Sequence, residues 1–432
     1  MRGMKSGLLA GVLAGVLLVT GCGLATTPAA LAKSDKPRAT ANPGQAATAA
    51  SAVNAFGLDL LQALRAAQPT DNVVVSPASI AIALAMARAG ARSDTATQMD
   101  AVLRSLGADQ SAAAVNALDQ ALASRSGTFR DMDGKAHDLT LTVANAPFAQ
   151  RDYAWQPAYL DALAERFGAA VRLVDYAADP EAARQQINAW VDDQTHQRIA
   201  QLISPGVLDE LTRLVLVNAI YLKAPWQRPF GEAATKPGPF QRLDGTTIHV
   251  PMMAVQEFFP YAERQGWRAI DLPYIGNSLA LTILLPTDPA DFVRGLDADS
   301  FGQITAALSD QEVLLTMPRF SVETTADLGQ VLSALGMPLA FDPLQADFSG
   351  MTTQEQLYIA AVVHQANISV DEKGTEAAAA TAVVMAAGAA PLGPIELSVD
   401  RPFLFALRDR PTGAVLFLGQ VTTPSEADAA AQ

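Results

Sequence analysis

One cysteine and four histidines in 432 residues leave little material for several kinds of chemistry. With Cys22 as the lone thiol, the chain can form no internal disulfide and no cysteine-rich metal cluster. His137, His196, His249 and His364 stand far apart, and none has the helical spacing that would put two ligands on one face, so no metal is expected. The sequence has no Gly-x-Ser-x-Gly elbow, no Walker loop and no dinucleotide fingerprint, so neither an activated serine nor a nucleotide cofactor is expected. His364 sits inside an apolar run, where a structural role suits it better than that of a general base. Basic residues are also in deficit: 30 Lys+Arg against 44 Asp+Glu give a net charge of -14. That balance removes the electrostatic case for nucleic acid as a partner. No catalytic constellation remains, and the chain does not read as an enzyme.

What is present begins with an apolar run. Arg2 and Lys5 precede Gly7–Val19, and the run ends in Val19-Thr20-Gly21-Cys22. Residues 1–21 have the order of a secretory signal peptide and are too short to span a bilayer. The ending resembles the bacterial lipobox, which implies acylation of Cys22 and a secreted lipoprotein anchored to a membrane and facing the periplasm or the cell exterior. Elsewhere in a chain, a lone cysteine reads as a reactive thiol or a small buried hydrophobe. Residues 22–50, rich in Ala, Thr and Pro without a sustained period, are expected to be a flexible tether between lipid and body.

From residue 51 the pattern turns regular. Val53, Phe56, Leu60, Leu61 and Leu64 share a helical face, and Asp179-Pro180 opens a helix whose Ala183, Ile187, Trp190 and Val191 share another. Asn72-Val-Val-Val-Ser-Pro reads as a short strand stopped by Pro77; between 80 and 212 helical patterns dominate, with strands only at 139–150 and 169–177. Strands dominate afterwards: 213–224, 246–256, 267–274, 278–285, 312–322, 357–371, 395–400, 402–409 and 414–421, interrupted by a helix near 326–336. Helices first and strands later, without βαβ alternation, predict an α+β fold. Two of the strands are apolar on both faces, as strands inside a sheet would be, yet one holds Asn218 and the other His364. Burying such groups unpaired costs about 1–3 kcal/mol each. They are therefore expected to bond one another or nearby hydroxyls such as those of Ser76 and Ser79.

The stretch VDEKGTEAAAATAVVMAAGAAPLGP at 370–394 is too apolar for a solvated linker and matches no core period. Taken alone, its EAAAATA run would suit an exposed helix. Several separated segments, taken in order, resemble the serpin family over residues 51–424: Asn72-Val-Val-Val-Ser-Pro-Ala-Ser-Ile, Val217-Asn218-Ala-Ile-Tyr-Leu-Lys-Ala-Pro-Trp226, His249-Val-Pro-Met-Met253, Asp347-Phe-Ser-Gly-Met351, Val363-His364-Gln-Ala, Asp400-Arg-Pro-Phe-Leu-Phe405 and Asp371-Glu-Lys-Gly-Thr-Glu-Ala-Ala-Ala379. The resemblance implies a large, mainly antiparallel central sheet, further sheets and an exposed reactive loop at about 372–394, followed by a tail at 425–432. It also implies a trap for serine proteases: the loop is attacked as a substrate, then inserts into the central sheet with the protease still joined as an acyl ester.

The same resemblance assigns parts. Glu372, Gly374, Thr375, Ala377 and Ala379 match the hinge. Trp226 and Arg319, with Ser76, Ser79, Asn218 and His364, match the breach and shutter over which the sheet opens. An ion pair between Glu372 and Arg319 is implied. Alternation from Thr375 puts small side chains, Thr375, Ala377, Ala379 and Thr381, on the face that must enter a packed interior. The family's spacing from Glu372 puts the attacked bond between Gly388 and Ala389. This span is longer than the family pattern, so Val384, Met385, Ala387 and Ala390 are alternatives. None of residues 383–390 is Lys or Arg, which points to an elastase-like protease, with chymotrypsin-like, subtilisin-like and cysteine proteases still open. Residues 111–126 contain one Arg and no Lys, so heparin is not an expected partner. A monomer without cofactor is expected. The alternative reading is a non-inhibitory surface lipoprotein of the same fold that binds a ligand or partner.

Overall fold

The structure, a computed structural model, describes residues 28–105, 107–131, 133–375 and 393–424. Two sheets share the chain. In the first, strands run in spatial order Ala30–Ala32, Val171–Val174, Ala136–Gln150, Leu214–Pro225, Gly374–Thr375, Ala361–Val370 and Phe320–Asp327, with Gly127–Arg130 also pairing Ala136–Gln150. The second runs Ile395–Ser398, Ser309–Pro318, Thr247–Arg264, Trp267–Pro273, Leu279–Pro286, Phe403–Asp409, Val415–Val421 and Val73–Val75. Pairing in the first sheet is mixed: Ala136–Gln150 is parallel to Val171–Val174, and Leu214–Pro225 is parallel to Ala361–Val370.

Leu214–Pro225 and Ala361–Val370 are the two strands expected to lie inside a sheet, and both are buried along most of their length, which explains their lack of polar alternation. Helix Pro77–Gly90 is also buried nearly all round and touches strands of both sheets. Pro77 stands at its first turn and Ser76 caps it, the Ser79 N–H donating to Ser76 Oγ at 3.4 Å. The cap fixes the helix's N-terminus, and with it Ser76 and Ser79, beneath the first sheet. Asp179 caps Pro180–Gln194 as its sequence predicts.

Two expectations need correction. The single strand expected at 312–322 is two strands in different sheets, Ser309–Pro318 and Phe320–Asp327. Pro318 lacks the N–H needed to continue the ladder, and the chain changes sheet at Arg319. The tether expected at 22–50 is not one over its described part. Ala30–Ala32 pairs antiparallel with Val171–Val174, Lys36 bridges Asp161 and Glu165 at 3.1 and 3.3 Å, and Arg38 pairs with Asp119 at 2.6 Å. Helix Ala46–Ala67 begins inside the supposed linker and buries Ala46, Ala49 and Ala50. The sequence hid this because a strap held by its ends needs no hydrophobic period.

The strap covers the edge of the first sheet level with Leu214–Val215, the end opposite Ala224–Pro225. An uncovered edge strand is a template for pairing with another chain. Removing residues 28–45 is therefore expected to leave a folded protein that associates with rising concentration. Light scattering across a dilution series checks this, and a deletion variant that stays monodisperse would show that the strap does not guard the edge.

Candidate functional site

The site lies along the seam between Leu214–Pro225 and Ala361–Val370. These strands pair in parallel over Val215–Ala219 and Ala361–Gln365. Further along they part, and the wedge between them holds Gly374–Thr375, with Thr375 antiparallel to both Val370 and Ala224. Residues 370–375 form a tight reversal in which the Asp371 carboxylate accepts from the N–H groups of Lys373 and Gly374 at 2.8 and 3.2 Å. Gly374 has φ +148, and a Cβ there would stand 2.2 Å from the Ala224 carbonyl oxygen, so glycine is required by both conformation and space.

At the top of the wedge, Trp226 stacks on Tyr274 with centroids 4.4 Å apart. Its indole donates to the Asp371 carbonyl at 2.8 Å, and its backbone N–H donates to the Lys373 carbonyl at 2.9 Å. Tyr274 Oη in turn lies 2.7 Å from Thr375 Oγ1, both buried. The expected ion pair is present: Arg319 reaches Glu372 at 2.5 Å, and Thr235 donates to the same carboxylate. Burial pushes the Glu372 carboxyl up, but the bonds from Arg319 and Thr235 outweigh it and hold the group below its ordinary value. Arg319 gains this reach from the crossing between sheets described above. Lys373 pairs with Glu232 at 3.0 Å, so Glu372 and Lys373 each have a counter-charge, while the Asp371 carboxylate is held by backbone N–H groups.

Below the wedge, where the seam is closed, His364 and Asn218 are register partners. Their side chains bond across the seam, His364 Nδ1 to Asn218 Oδ1 at 2.6 Å. The Ser76 backbone N–H donates to His364 Nε2 at 3.2 Å, so Nε2 is the acceptor and Nδ1 carries the proton. Asn218 Nδ2 bonds Ser79 Oγ and lies 2.6 Å from the Asn145 amide. Ser76, Ser79, Asn218 and His364 are thus one buried cluster. The Ser76 hydroxyl is not a partner of the histidine as expected; it caps the helix, and its backbone serves instead. The sequence reading missed Asn145, Tyr274 and Thr235. Asn145 had a signal, a polar residue within the apolar run Val143–Phe148; the other two had none. The hinge residues Ala377 and Ala379, the bond Gly388–Ala389 with its alternatives, and Cys22 all lie outside the described residues.

Burial lowers the His364 pKa to about 3. The unfolded histidine, near 6.5, therefore binds a proton that the native one refuses between those values, and stability falls as pH drops through that window. His364→Asn is expected to flatten urea-derived stability between pH 6.5 and 5 by about 1 kcal/mol per pH unit, nearing one proton's worth at the lower end. Equal slopes in both proteins would place the acid sensitivity elsewhere.

Among the described residues no cluster of His, Cys, Asp and Glu could hold a metal, and no helix is long and apolar enough to cross a membrane. The site is a strand seam with a strand wedged into its open end.

Comparison with known proteins fits that geometry. The family described as Serpin (serine protease inhibitor) matches residues 51–424. A leukocyte elastase inhibitor of Bos taurus is 38% identical over 382 residues, covering 85% of this chain and 97% of that protein. An uncharacterized serpin-like protein of Thermococcus kodakarensis is 38% identical over 388 residues, covering 89% and 87%. Among solved structures, native protease nexin-1 with heparin superposes with a TM-score of 0.76 at 30% identity, over 89% of this chain and all (100%) of that one. The thermophilic serpin tengpin in its native state gives 0.77 at 25%, over 92% and 100%. A seam closed by a histidine and an asparagine, opened at one end by Gly374–Thr375, and a family match over residues 51–424 together establish that this chain belongs to the serpin family of serine protease inhibitors.

Proposed function

We propose that the chain inhibits serine endopeptidases as a suicide substrate. The protease serine attacks the loop carbonyl at the scissile bond, the new amine departs with the C-terminal part, and the N-terminal part inserts into the seam while still joined to the protease as an ester. The observation that carries this reading is the antiparallel register of Thr375 with both neighbours. A strand continuing from it would run down the seam, replacing one parallel ladder with two antiparallel ones. Each net ladder bond contributes about 1 kcal/mol, so insertion is downhill once cleavage frees the loop end.

Gly388–Ala389 is the proposed bond, with Val384, Met385, Ala387 and Ala390 as neighbouring candidates. The small, uncharged side chains of this stretch fit a shallow elastase-type pocket, in keeping with relatives named leukocyte elastase inhibitors. The test mixes the full chain with elastase, trypsin, chymotrypsin and subtilisin. A complex with elastase that survives denaturing gels is expected, with the mass of the released peptide fixing the bond. Loop cleavage by every enzyme without a complex would instead favour the non-inhibitory reading.

Acylation of Cys22 and anchorage to a membrane complete the proposal. Five residues lie between Cys22 and Pro28, six steps or at most about 22 Å of chain. The strap starts at the end of the first sheet opposite the hinge. An anchored molecule would then present its hinge end outward and draw a trapped protease toward the membrane. Cys22→Ser is expected to move the protein from the membrane to the soluble fraction; unchanged partition would remove the anchor from this account.

A further inference from the structure

A cavity of about 760 Å³ opens beside the first sheet, away from the seam, where the strap crosses in front of Ala136–Gln150. Val171–Val174 pairs with that strand only at Phe148–Gln150, and Gly127–Arg130 only at Ala136–Leu139. Among the described residues, no strand covers the edge of Thr142–Ala146 that faces the cavity. The volume is that of a small-molecule site rather than a packing defect.

Its charge is one-sided. Lys33, Lys36, Arg38 and Arg172 line it against a single acid, Asp119. Arg38 neutralises Asp119, and Lys36 is held by Asp161 and Glu165. Arg172 is different: it is half-buried, and no carboxylate among the described residues pairs with it. Its guanidinium lies 4.7 Å over the Trp190 ring and 5.9 Å over Phe148, a stacking that leaves the N–H edge free to bind an anion. Burial lowers its pKa, the sign of a cation short of solvent and counter-charge. The Trp190 indole N–H is buried without an acceptor. The remaining wall combines an apolar part, with Met86, Leu122 and Phe167, and polar side chains, Ser34, Thr142, Asn145 and Gln194.

We propose that this cavity binds an amphipathic organic anion, with its acid group on Arg172 and its apolar body against Met86, Leu122, Phe167 and Trp190. Charge complementarity selects the class: a cation would meet the strap's basic residues, and an uncharged apolar molecule would leave Arg172 unpaired.

Dodecanoate, titrated into the full chain below its micelle concentration, is the probe, with dodecyltrimethylammonium and dodecanol beside it. Equilibrium dialysis counts the bound ligand, and tryptophan emission reports on Trp190. The expected result is one saturable dodecanoate site, about tenfold or more tighter than either control, since a charge-assisted pair is at stake. Arg172→Gln is expected to lose at least about tenfold in affinity, and Arg172→Lys to recover part of it. Trp190→Phe is expected to keep binding and lose the emission change. The site is overturned by absence of saturable binding, by equal uptake of all three probes, or by an Arg172→Gln protein of unchanged unfolding midpoint that binds as tightly as the parent. None of these readouts depends on protease trapping, so the two proposals fail separately.

Discussion

Thr375→Arg is expected to convert the inhibitor into a substrate, lowering the yield of covalent complex by about tenfold or more while loop cleavage continues at full rate. Thr375 is already inside the sheet, 2% exposed, paired with strands on both sides and bonded to Tyr274. An arginine there cannot remain in that slot: it would bring a buried charge without a counter-ion and several more heavy atoms than the space holds. Gly374 and residue 375 would be expelled from the wedge, and the proposed insertion, which would begin from that pairing, would start late or not at all. Cleavage needs only an exposed loop and an accepting pocket, so the ester would hydrolyse before the protease moved. The damage should stay local, because Trp226 still stacks on Tyr274 and the seam below is closed by other contacts. Gel densitometry of complex against cleaved inhibitor measures the partition. Thr375→Val, which keeps the size and loses only the Tyr274 bond, should stay close to the parent. An undiminished complex with Thr375→Arg would refute insertion through this seam.

Asn218→Ala is expected to carry the largest cost in stability, about 3 kcal/mol, and to speed the loss of inhibitory activity on warming. The amide takes the proton of His364 Nδ1 and gives its own to Ser79, all in a site closed to water. Its removal strands a buried donor on His364 and disturbs the bonding of Ser79, each at about 1–3 kcal/mol, and opens a small cavity. The location makes this more than a core defect. His364 and Asn218 face each other across the ladder that an inserting strand must break. If the loop inserts as proposed, loosening that bond would lower the barrier to spontaneous insertion along with native stability. Urea unfolding measures the first effect, and timed assays after incubation at elevated temperature measure the second. A variant less stable in urea but no faster to inactivate would mean that the cluster braces the core without guarding the seam.

Much of this was legible in one dimension. Strands buried on both faces must be apolar throughout, so Leu214–Pro225 and Ala361–Val370 announced themselves as interior. Asn218 and His364 within them announced a need for partners, because burial makes an unpaired polar group costly wherever it sits. Thr375, the first of the small side chains expected to face inward, is buried between two strands. Pairing across the seam was a different matter. His364 meets Asn218 because their strands run parallel in one particular register, and a residue's own sequence neighbours do not encode that register.

The same limit explains the strap. Residues 28–45 carry no period because they are held by a short edge pairing and by side-chain pairs of Ser34, Lys36 and Arg38, each made with residues more than 70 positions away. Composition alone could not distinguish that from a tether. Sequence by itself determined the class of fold and the interior strands, since those follow from local pattern. Tertiary structure alone decided that Gly374–Thr375 is seated between two strands, that the seam is latched by a neutral histidine, and that Arg172 stands over a cavity with no paired carboxylate among the described residues, since each is a matter of strand pairing and distance rather than of local pattern.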